Sequence, residues 1–245
     1  MGKLKCILLV PDSHIPYEDK EAFDLMLKVA RELKPTYLVV LGDLGDFYDI
    51  SKYIKDPRHR VSFTEEVDAV NKRLDQLDEL KAEHKIFLEG NHEVRLQSYI
   101  LSNAPALIDA YNVQQAFELR RRNYRFIKYR DDTRIGKLYL CHDAGYAGIN
   151  AIKQTYDAYH HNVAFGHTHG LGVRYFGNAV GESHTCINVG WLGDKKYIDY
   201  AARVKAARTY ITGFGLGYLS DNGNVFVQPV PIVDNQCVVN GKLYS

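Results

Sequence analysis

The sequence CILLVPDSH, at residues 6–14, decides the fold. Five consecutive apolar residues end at a proline, and an aspartate and a histidine follow directly. A short, continuously apolar run of this kind is typical of a strand that is buried on both faces of a sheet. Polar residues placed directly behind such a strand lie at its carboxyl end, where open α/β sheets form their binding sites.

Four more polar clusters follow strand-like apolar runs further along the chain. They lie at residues 42–46 (GDLGD), 90–93 (GNHE), 142–143 (HD) and 166–169 (GHTH). Helical stripes of apolar residues, at Lys20–Leu33 and at 63–80, separate the first three strand-like runs. Because strand–helix–strand connections give parallel strands, we expect all five clusters at one edge of the fold.

The sequence pattern changes after Gly170. The chain then consists of segments rich in strand-forming residues, separated by Gly and Asn. These segments lie at residues 173–176, 185–189, 209–219 and 225–230. The pattern predicts antiparallel strands that complete a second sheet. We therefore predict an α/β fold, a two-sheet β-sandwich flanked by helices with mixed parallel and antiparallel strands. No repeat or linker interrupts it, so residues 1–245 are predicted to form one domain with a β-rich C-terminal part from about residue 171.

The composition is that of an ordinary globular protein. The 245 residues are 46% hydrophobic and 25% charged with a formal net charge of +1, so a nucleic-acid partner has to be argued from a local feature. The four cysteines form no C-x-x-C pair, and buried reduced thiols are expected. The first apolar run is too short for a signal peptide, and none approaches the roughly 20 residues of a membrane span. We expect a cytoplasmic protein without a membrane partner.

The side chains expected to converge at the edge of the fold are two carboxylates, one amide and four imidazoles. They belong to Asp12, His14, Asp43, Asn91, His142, His167 and His169. This mixture of oxygen and nitrogen donors suits Mn, Fe, Zn, Ni or Co, and it suits Ca or Mg poorly. Seven ligands are too many for one ion with open positions, whereas two ions that share one carboxylate have four protein ligands each. Two ions roughly 3.5–4 Å apart can clamp a phosphate and generate a hydroxide nucleophile near neutral pH.

The five clusters, taken in order, resemble the motifs of the calcineurin-like metallophosphoesterase superfamily. The motifs are Asp-x-His, Gly-Asp-x-x-Asp, Gly-Asn-His-Glu, a single His, and Gly-His-x-His, and they span residues 4 to about 190. The resemblance implies the two-sheet sandwich of that superfamily and a metal-dependent phosphoesterase, a hydrolase acting on phosphate ester bonds. The chain has Asp-Phe-Tyr at residues 46–48, where the protein serine/threonine phosphatases have Asp-Arg-Gly. It is therefore more similar to the phosphodiesterase and nuclease branches.

The resemblance also implies a role for each residue. The implied ligands of the first metal are Asp12, His14, Asp43 and His169. The implied ligands of the second metal are Asp43, Asn91, His142 and His167, with Asp43 bridging the two ions. His92 is implied to contact the phosphate and to stabilise charge or protonate the leaving group, as an imidazole beside a ligand can. The expected cofactors are two divalent ions, with Mn first and Fe, Zn, Ni or Co as alternatives.

Five further residues near the second and third clusters are candidates for supporting roles. Asp46 completes Gly-Asp-x-x-Asp, and we expect it to orient a ligand histidine rather than to bind a metal directly. His59, with Arg58 and Arg60 beside it, lies on the loop after the second cluster and is a candidate for substrate contact. Glu93 stands where many relatives carry Asp, and we expect a carboxylate at a helix start there.

The segment 120–130, RRRNYRFIKYR, is rich in basic and aromatic residues. Basic residues interleaved with aromatic ones can hold a phosphate backbone and stack bases. Nucleic acid is therefore a candidate partner, through Arg120, Arg121, Arg122, Arg125, Lys128 and Arg130. The alternative is a solvated helix end followed by an exposed strand. The 18 tyrosines also leave self-association open, as in a dimer, and the oligomeric state is not fixed by the sequence.

Three functions follow from these features. The first is a dinuclear-metal phosphoesterase that hydrolyses a phosphodiester, in nucleic acid or in a nucleotide, by attack of metal-bound hydroxide. The second is a phosphomonoesterase that acts on a nucleotide, a phosphoprotein or a DNA end through the same metal site. The third is an inactive metal-binding interaction module, and the presence of every ligand and of His92 argues against it.

Overall fold

The computed structural model describes residues 4–52, 55, 61–198 and 209–245 of the chain. Five α-helices lie within these ranges: α1 (Lys20–Leu33), α2 (Phe63–Asp78), α3 (Val94–Asn103), α4 (Val113–Ala116) and α5 (Ala151–Tyr159). The strands of the same ranges are β1 (Lys5–Val10), β2 (Tyr37–Val40), β3 (His84–Leu88), β4 (Tyr124–Ile127), β5 (Thr133–Ile135), β6 (Leu138–Cys141), β7 (Asn162–Phe165), β8 (Leu171–Gly177), β9 (Ser183–Val189), β10 (Gly213–Leu219), β11 (Val225–Pro231), β12 (Cys237–Val239) and β13 (Lys242–Tyr244). The helix predicted at Lys20–Leu33 has those bounds, and the one predicted at 63–80 ends two residues earlier.

The strands form two large sheets and one hairpin. Sheet 1 has the order β11-β10-β1-β2-β3-β4, sheet 2 has the order β5-β6-β7-β9-β8, and β12 pairs with β13. Strands β1 to β4 are parallel to one another, as are β6, β7 and β9, whereas the remaining neighbours are antiparallel. The predicted two-sheet sandwich with mixed strands is confirmed.

Successive side chains of a strand point to opposite faces of its sheet, and this produces the layers of the fold. Leu8 and Val10 of β1 pack with α1 and α2 on the outer face of sheet 1. Ile7 and Leu9 of the same strand point the other way, into a core shared with sheet 2. The opposite face of sheet 2 carries Phe165 and packs against α5. The order of layers is helices, sheet 1, sheet 2 and one helix. Both sheets therefore lie between helical layers.

The prediction that every strand after Gly170 completes the second sheet is wrong for β10 and β11. Strands β8 and β9 do belong to sheet 2, but β10 pairs with β1, with Leu8 opposite Leu216, and β11 extends sheet 1 beyond it. All five residues from Gly213 to Gly217 are buried, so β10 needs neighbours on both faces. Such a run marks a buried strand but does not say which sheet it joins.

The described residues contain no helix that is long and apolar enough to cross a membrane. The four cysteines are unpaired thiols, as expected, and Cys141, Cys186 and Cys237 are buried.

Glu66 is a buried carboxyl group beneath the loop that follows β2. It lies on α2, is 1% exposed, and accepts a hydrogen bond from the backbone N–H of Phe47. Burial, together with the nearby charge of Asp46, raises the pKa of Glu66 from 4.5 to about 8. The folded state therefore holds this proton more tightly than the unfolded state does. The resulting stability is fully present below about pH 4.5 and is lost as the pH rises through about 8.

Replacing Glu66 with Gln should flatten the dependence of stability on pH, because the amide keeps an acceptor for the N–H of Phe47 and does not ionise. The free energy of unfolding should fall less in Glu66→Gln than in the wild type when the pH is raised from about 5 to about 8. The measurement is urea unfolding of both proteins at each pH. Glu66→Ala, which leaves the N–H unpaired, should cost about 1–3 kcal/mol at either pH. Parallel losses in Glu66→Gln and the wild type would contradict this account.

Candidate metal centre

The structure brings together all seven side chains that the sequence identified as ligands. Asp12, His14, Asp43 and Asn91 follow strands β1, β2 and β3 of sheet 1. His142, His167 and His169 follow β6 and β7 of sheet 2. The site therefore spans the two sheets at the carboxyl ends of their parallel strands. The sequence order of the motifs predicted this convergence.

The first group of donor atoms belongs to Asp12, His14 and His169. The Nε2 atoms of His14 and His169 are 3.1 Å apart, and Oδ2 of Asp12 is 3.1 Å from Nε2 of His169. Four ligands around a tetrahedral ion with bonds of 2.0–2.1 Å would be about 3.3 Å apart. Oδ2 of Asp12 is buried and lacks a hydrogen bond of good geometry within the described residues. The spacing and this unsatisfied oxygen both fit a bound cation.

The second group consists of Asp43, Asn91, His142 and His167. Oδ1 of Asn91 lies 3.1 Å from Nε2 of His142 and 2.8 Å from Nδ1 of His167. Oδ2 of Asp43 lies 3.4 Å from the same Nε2 of His142. Asp43 also forms a compact triad with His14 and His92, so it lies between the two groups, where a bridging ligand belongs.

The acceptors around His142 favour a positive charge at the second group. Nδ1 of His142 lies 2.7 Å from the carbonyl oxygen of Leu41, which only accepts, so Nδ1 carries a hydrogen. Its Nε2 faces two further acceptors, on Asn91 and Asp43. Burial acts to lower the pKa of His142, but Asp43, Asp12 and the carbonyl group of Leu41 raise it to about 10. In the metal-free protein a proton supplies this charge, and a divalent ion suits the same donors.

Asp46 contacts the outer nitrogens of two imidazoles. Its Oδ1 is 2.9 Å from Nδ1 of His14 and 3.0 Å from Nδ1 of His92. Burial acts to raise the pKa of Asp46, but the charges and hydrogen bonds of His92 and His14 hold it well below its usual range. A hydrogen bond at Nδ1 leaves Nε2 of His14 directed at the first group of donors. This is the orienting contact that the sequence led us to expect of Asp46.

Arg95 is a residue of the site that the sequence reasoning missed. Its Nη2 donates to Nε2 of His92 at 2.9 Å, and its Nη1 donates to the backbone oxygen of Asp46 at 2.7 Å. Because an arginine only donates, His92 accepts at Nε2 and carries its hydrogen on Nδ1, which lies 2.8 Å from the same backbone oxygen. The available signal was the spacing of three residues after His92, which places both side chains on one side of a helical turn.

The expectation of a helix-start carboxylate at Glu93 needs correction. Glu93 precedes α3, but its side chain makes no capping hydrogen bond to that helix and is 0% exposed. Its carboxylate instead accepts from the N–H groups of Gly90 and Asp43 at 2.9 Å and of Gly45 at 3.1 Å. The reason is that the side chain turns back towards the loops after β2 and β3, where several backbone donors lack strand partners.

The backbone at the site is held in sparsely populated conformations. His14, Asp43, His167 and His169 all have φ between 49° and 65°, in the left-handed region. A Cβ atom at Gly90 would clash with Oδ1 of Asp43, so a residue without a side chain is required there. Such backbone strain persists only where surrounding contacts enforce it, and it is concentrated at functional sites.

The ring of His169 is held by two aromatic residues that the sequence did not indicate. Trp191 stacks on it with the ring centroids 5.5 Å apart, and Tyr210 meets it edge-on at 4.4 Å. Both lie in the β-rich part of the chain after Gly170, outside the five motifs. The remaining candidates, His59, Arg58 and Arg60, lie outside the described residues.

Arg122 does not offer its charge to nucleic acid, in contrast to the expectation for segment 120–130. Its side chain is 3% exposed, and Nη1 lies 2.6 Å from Asp75 and 2.7 Å from Asp78. The reason is that a buried guanidinium needs carboxylate partners, and α2 supplies both. Arg122 is therefore part of the packing between α2 and the chain that leads into β4.

The other basic residues of the segment are exposed but are spread along β4, with Arg125 on the strand itself and the rest beyond its two ends. Strand β4 runs parallel to β3, with Tyr124 opposite Lys85 and Ile127 opposite Leu88. Lys128 and Arg130 therefore follow the carboxyl end of β4, on the side of the metal centre. The exposed residues Arg120 and Arg121 precede the strand, which is itself about 13 Å long.

Replacing Asp46 with Asn should weaken metal binding by about 10- to 100-fold, because the imidazoles of His14 and His92 lose the charged acceptor that orients them. The measurement is a titration of the metal-free protein with Mn²⁺ followed by calorimetry. Asp109→Asn changes an exposed carboxylate and serves as the control, with no change in affinity expected. Equal affinities for Asp46→Asn and the control would show that Asp46 does not orient a ligand.

No family model matches the chain. Among characterised sequences it is similar to the gene 54 protein of Mycobacterium phage D29, at 24% identity over 256 aligned residues covering 98% of this chain and 99% of that protein. It is also similar to the gene 54 protein of Mycobacterium phage L5, at 22% identity over 257 residues and the same coverage.

Two solved structures are similar in chain path. One is Vacuolar Protein Sorting 29 from Cryptosporidium parvum, with a TM-score of 0.48 and 17% identity, covering 98% of this chain and 94% of that one. The other is Yfce, a phosphoesterase from E. coli, with a TM-score of 0.43 and 15% identity, covering 90% and 96%. The function therefore has to be argued from the residues of the site. In the order of its motifs, in its two-sheet fold and in the convergence of its ligands, the chain is similar to the calcineurin-like metallophosphoesterase superfamily.

Proposed function

We propose that this protein is a phosphoesterase that uses two divalent metal ions to hydrolyse phosphodiesters, in nucleic acid or in nucleotides. The observation that carries the proposal is the pair of donor groups that meet at Asp43. Asp12, Asp43 and His142 form a buried floor, whereas Asn91, His167 and His169 are partly exposed above it. A substrate phosphate can therefore reach the donor atoms from solvent.

Hydrolysis requires a water oxygen to attack phosphorus, the bond to the leaving oxygen to break, and a proton to reach that oxygen. When bound, the two ions supply an acidified water and neutralise the charge of the phosphate. His92 and Arg95 lie beside the donor groups, with Nε2 of His92 3.9 Å from Oδ2 of Asp43. The guanidinium group of Arg95 can donate to a phosphate oxygen instead of to Nε2 of His92. With a proton on Nε2 as well as on Nδ1, His92 can then stabilise the same charge or protonate the leaving oxygen.

The mixed oxygen and nitrogen donors suit Mn, Fe, Zn, Ni and Co alike, and Mn is the ion that we propose first. The same metal site would serve a phosphomonoesterase, so the ratio of diester to monoester rates decides between the two activities. An inactive interaction module would not need all seven ligands together with His92 and Arg95, and their close spacing supports an enzyme.

Protein loaded with Mn²⁺ should hydrolyse bis(p-nitrophenyl) phosphate faster than p-nitrophenyl phosphate, as followed by release of nitrophenolate. Asp43→Asn should lower the rate on the order of 10²–10³-fold, because it removes the carboxylate between the two groups of ligands. Asp109→Asn is again the control. If metal-loaded protein hydrolyses neither ester and Asp43→Asn changes nothing, the protein is not a phosphoesterase. A higher monoester rate would instead favour the phosphomonoesterase.

Binding of single-stranded DNA would support a nucleic-acid substrate. Lys128 and Arg130 are exposed at the end of β4 nearest the metal centre. Changing both to Ala should weaken binding and reduce the slope of log affinity against log salt by about 1.4, since each phosphate contact contributes about 0.7.

The matched control for this double variant changes Arg120 and Arg121, which are exposed at the opposite end of β4. It removes the same net charge and should leave the salt slope unchanged. Equal effects of the two double variants would indicate that net charge alone attracts the DNA. They would exclude a specific DNA-binding surface at Lys128 and Arg130.

A further inference from the structure

A cavity of about 540 Å³ lies beside the metal centre along α3. Its wall includes the proposed ligand Asn91 at one end, and Arg95, Ser98, Tyr99 and Ser102 along its length. Asp49, Ile50 and Lys52, from the loop after β2, and Val94 of α3 also line it. This volume lies within the range of about 300–1,000 Å³ that is usual for small-molecule sites.

The sequence of α3 directs a polar face towards this cavity. Leu96 and Ile100, four residues apart, are buried in the core between the helices and sheet 1. Arg95, Tyr99 and Ser102 recur at intervals of four and three, so they share the neighbouring face of the helix. The core contacts of α3 therefore fix its rotation, and that rotation presents the polar side chains to the cavity.

The cavity is connected to the proposed site through Arg95, which lines it and contacts His92. A proton donor must come within about 2.6–3.2 Å of the leaving oxygen. The candidate donor is His92, and the guanidinium group of Arg95, which keeps its proton and can only hydrogen-bond, contacts it at 2.9 Å. Because Arg95 also lines the cavity, a leaving group bonded through that oxygen extends away from the metal ligands and into the cavity.

We propose that this cavity binds the leaving group of the substrate and selects a nucleoside there, an inference that rests on the proposed phosphodiesterase activity. The ring of Tyr99 is 45% exposed and offers a flat face on which a base can stack. The hydroxyl groups of Ser98 and Ser102 can donate to and accept from a sugar or a base edge. A small alkyl leaving group such as methyl offers neither a ring to stack on Tyr99 nor hydrogen-bonding groups for the two hydroxyls.

The test compares two diesters that differ in the leaving group alone. They are thymidylyl-(3′→5′)-thymidine and the methyl ester of thymidine 3′-phosphate, hydrolysed by the full chain loaded with Mn²⁺. The readout is the ratio of kcat/KM for the dinucleotide to kcat/KM for the methyl ester. We expect wild type to favour the dinucleotide, and Tyr99→Ala to lower the ratio roughly 10-fold through the loss of one stacked base.

Two control variants separate stacking from general damage. Tyr99→Phe keeps the ring and should keep the ratio. Tyr175→Ala removes a tyrosine that is 70% exposed on β8, and should leave both rates unchanged. As a second measurement, thymidine should inhibit dinucleotide hydrolysis competitively, and roughly 10-fold more weakly in Tyr99→Ala than in wild type.

The outcomes distinguish failure of the proposed leaving-group site from failure of the proposed phosphodiesterase activity. If wild type hydrolyses both diesters with equal kcat/KM, or if Tyr99→Ala and Tyr99→Phe behave alike, the cavity does not select a nucleoside, although the phosphodiesterase activity stands. If metal-loaded wild type hydrolyses neither these esters nor bis(p-nitrophenyl) phosphate, the proposed function fails, and the leaving-group site fails with it.

Discussion

The carboxylate of Glu93 is the contact on which the geometry of the site depends. It accepts hydrogen bonds from backbone N–H groups of Gly90, Asp43 and Gly45, and so it ties the loop after β2 to the loop after β3. These loops carry the bridging carboxylate and the amide ligand. Each of the N–H groups would otherwise be buried without a partner, at a cost of about 1–3 kcal/mol. Asp43 can therefore hold its left-handed backbone conformation without unfolding of the loop.

Several features of the site reduce the stability of the protein, and the rest of the fold must offset them. Buried carboxylates, closely spaced imidazoles and left-handed backbone conformations each destabilise the metal-free protein. The two sheets offset these effects through the apolar core between them and through the core beneath the helices. Because sheet 1 and sheet 2 each supply ligands, the packing that stabilises the sandwich also sets the spacing between the two groups of donors. A cation bound between them would remove much of the remaining electrostatic cost.

Most strands of the two sheets, the long helices and all seven proposed ligands could be predicted because each depends on local pattern, whereas β5 and the hairpin β12–β13 were not predicted. Apolar runs mark buried strands, and polar residues directly behind them must lie at one edge of the fold. The contacts that the sequence did not reveal depend on chain segments that meet only in space. Trp191 reaches His169 from the strand-rich C-terminal part, and Arg122 is neutralised by carboxylates 44 and 47 residues earlier. The placement of β10 in sheet 1 likewise depends on pairing with β1, a strand that is distant in the sequence.

One helix connects three parts of the proposed site. Glu93 precedes α3 and holds the loops of two ligands, Arg95 on its first turn bonds His92, and Tyr99 on its next turn lines the cavity. A rotation or shift of α3 would therefore move all three together. In the proposed enzyme, metal geometry and selection of the leaving group would be coupled through this rigid element, so the effects of changes along α3 should not add as those of separate sites do. The buried pair Leu96 and Ile100 fixes the helix on the core, and the precision of the chemistry rests on that apolar contact.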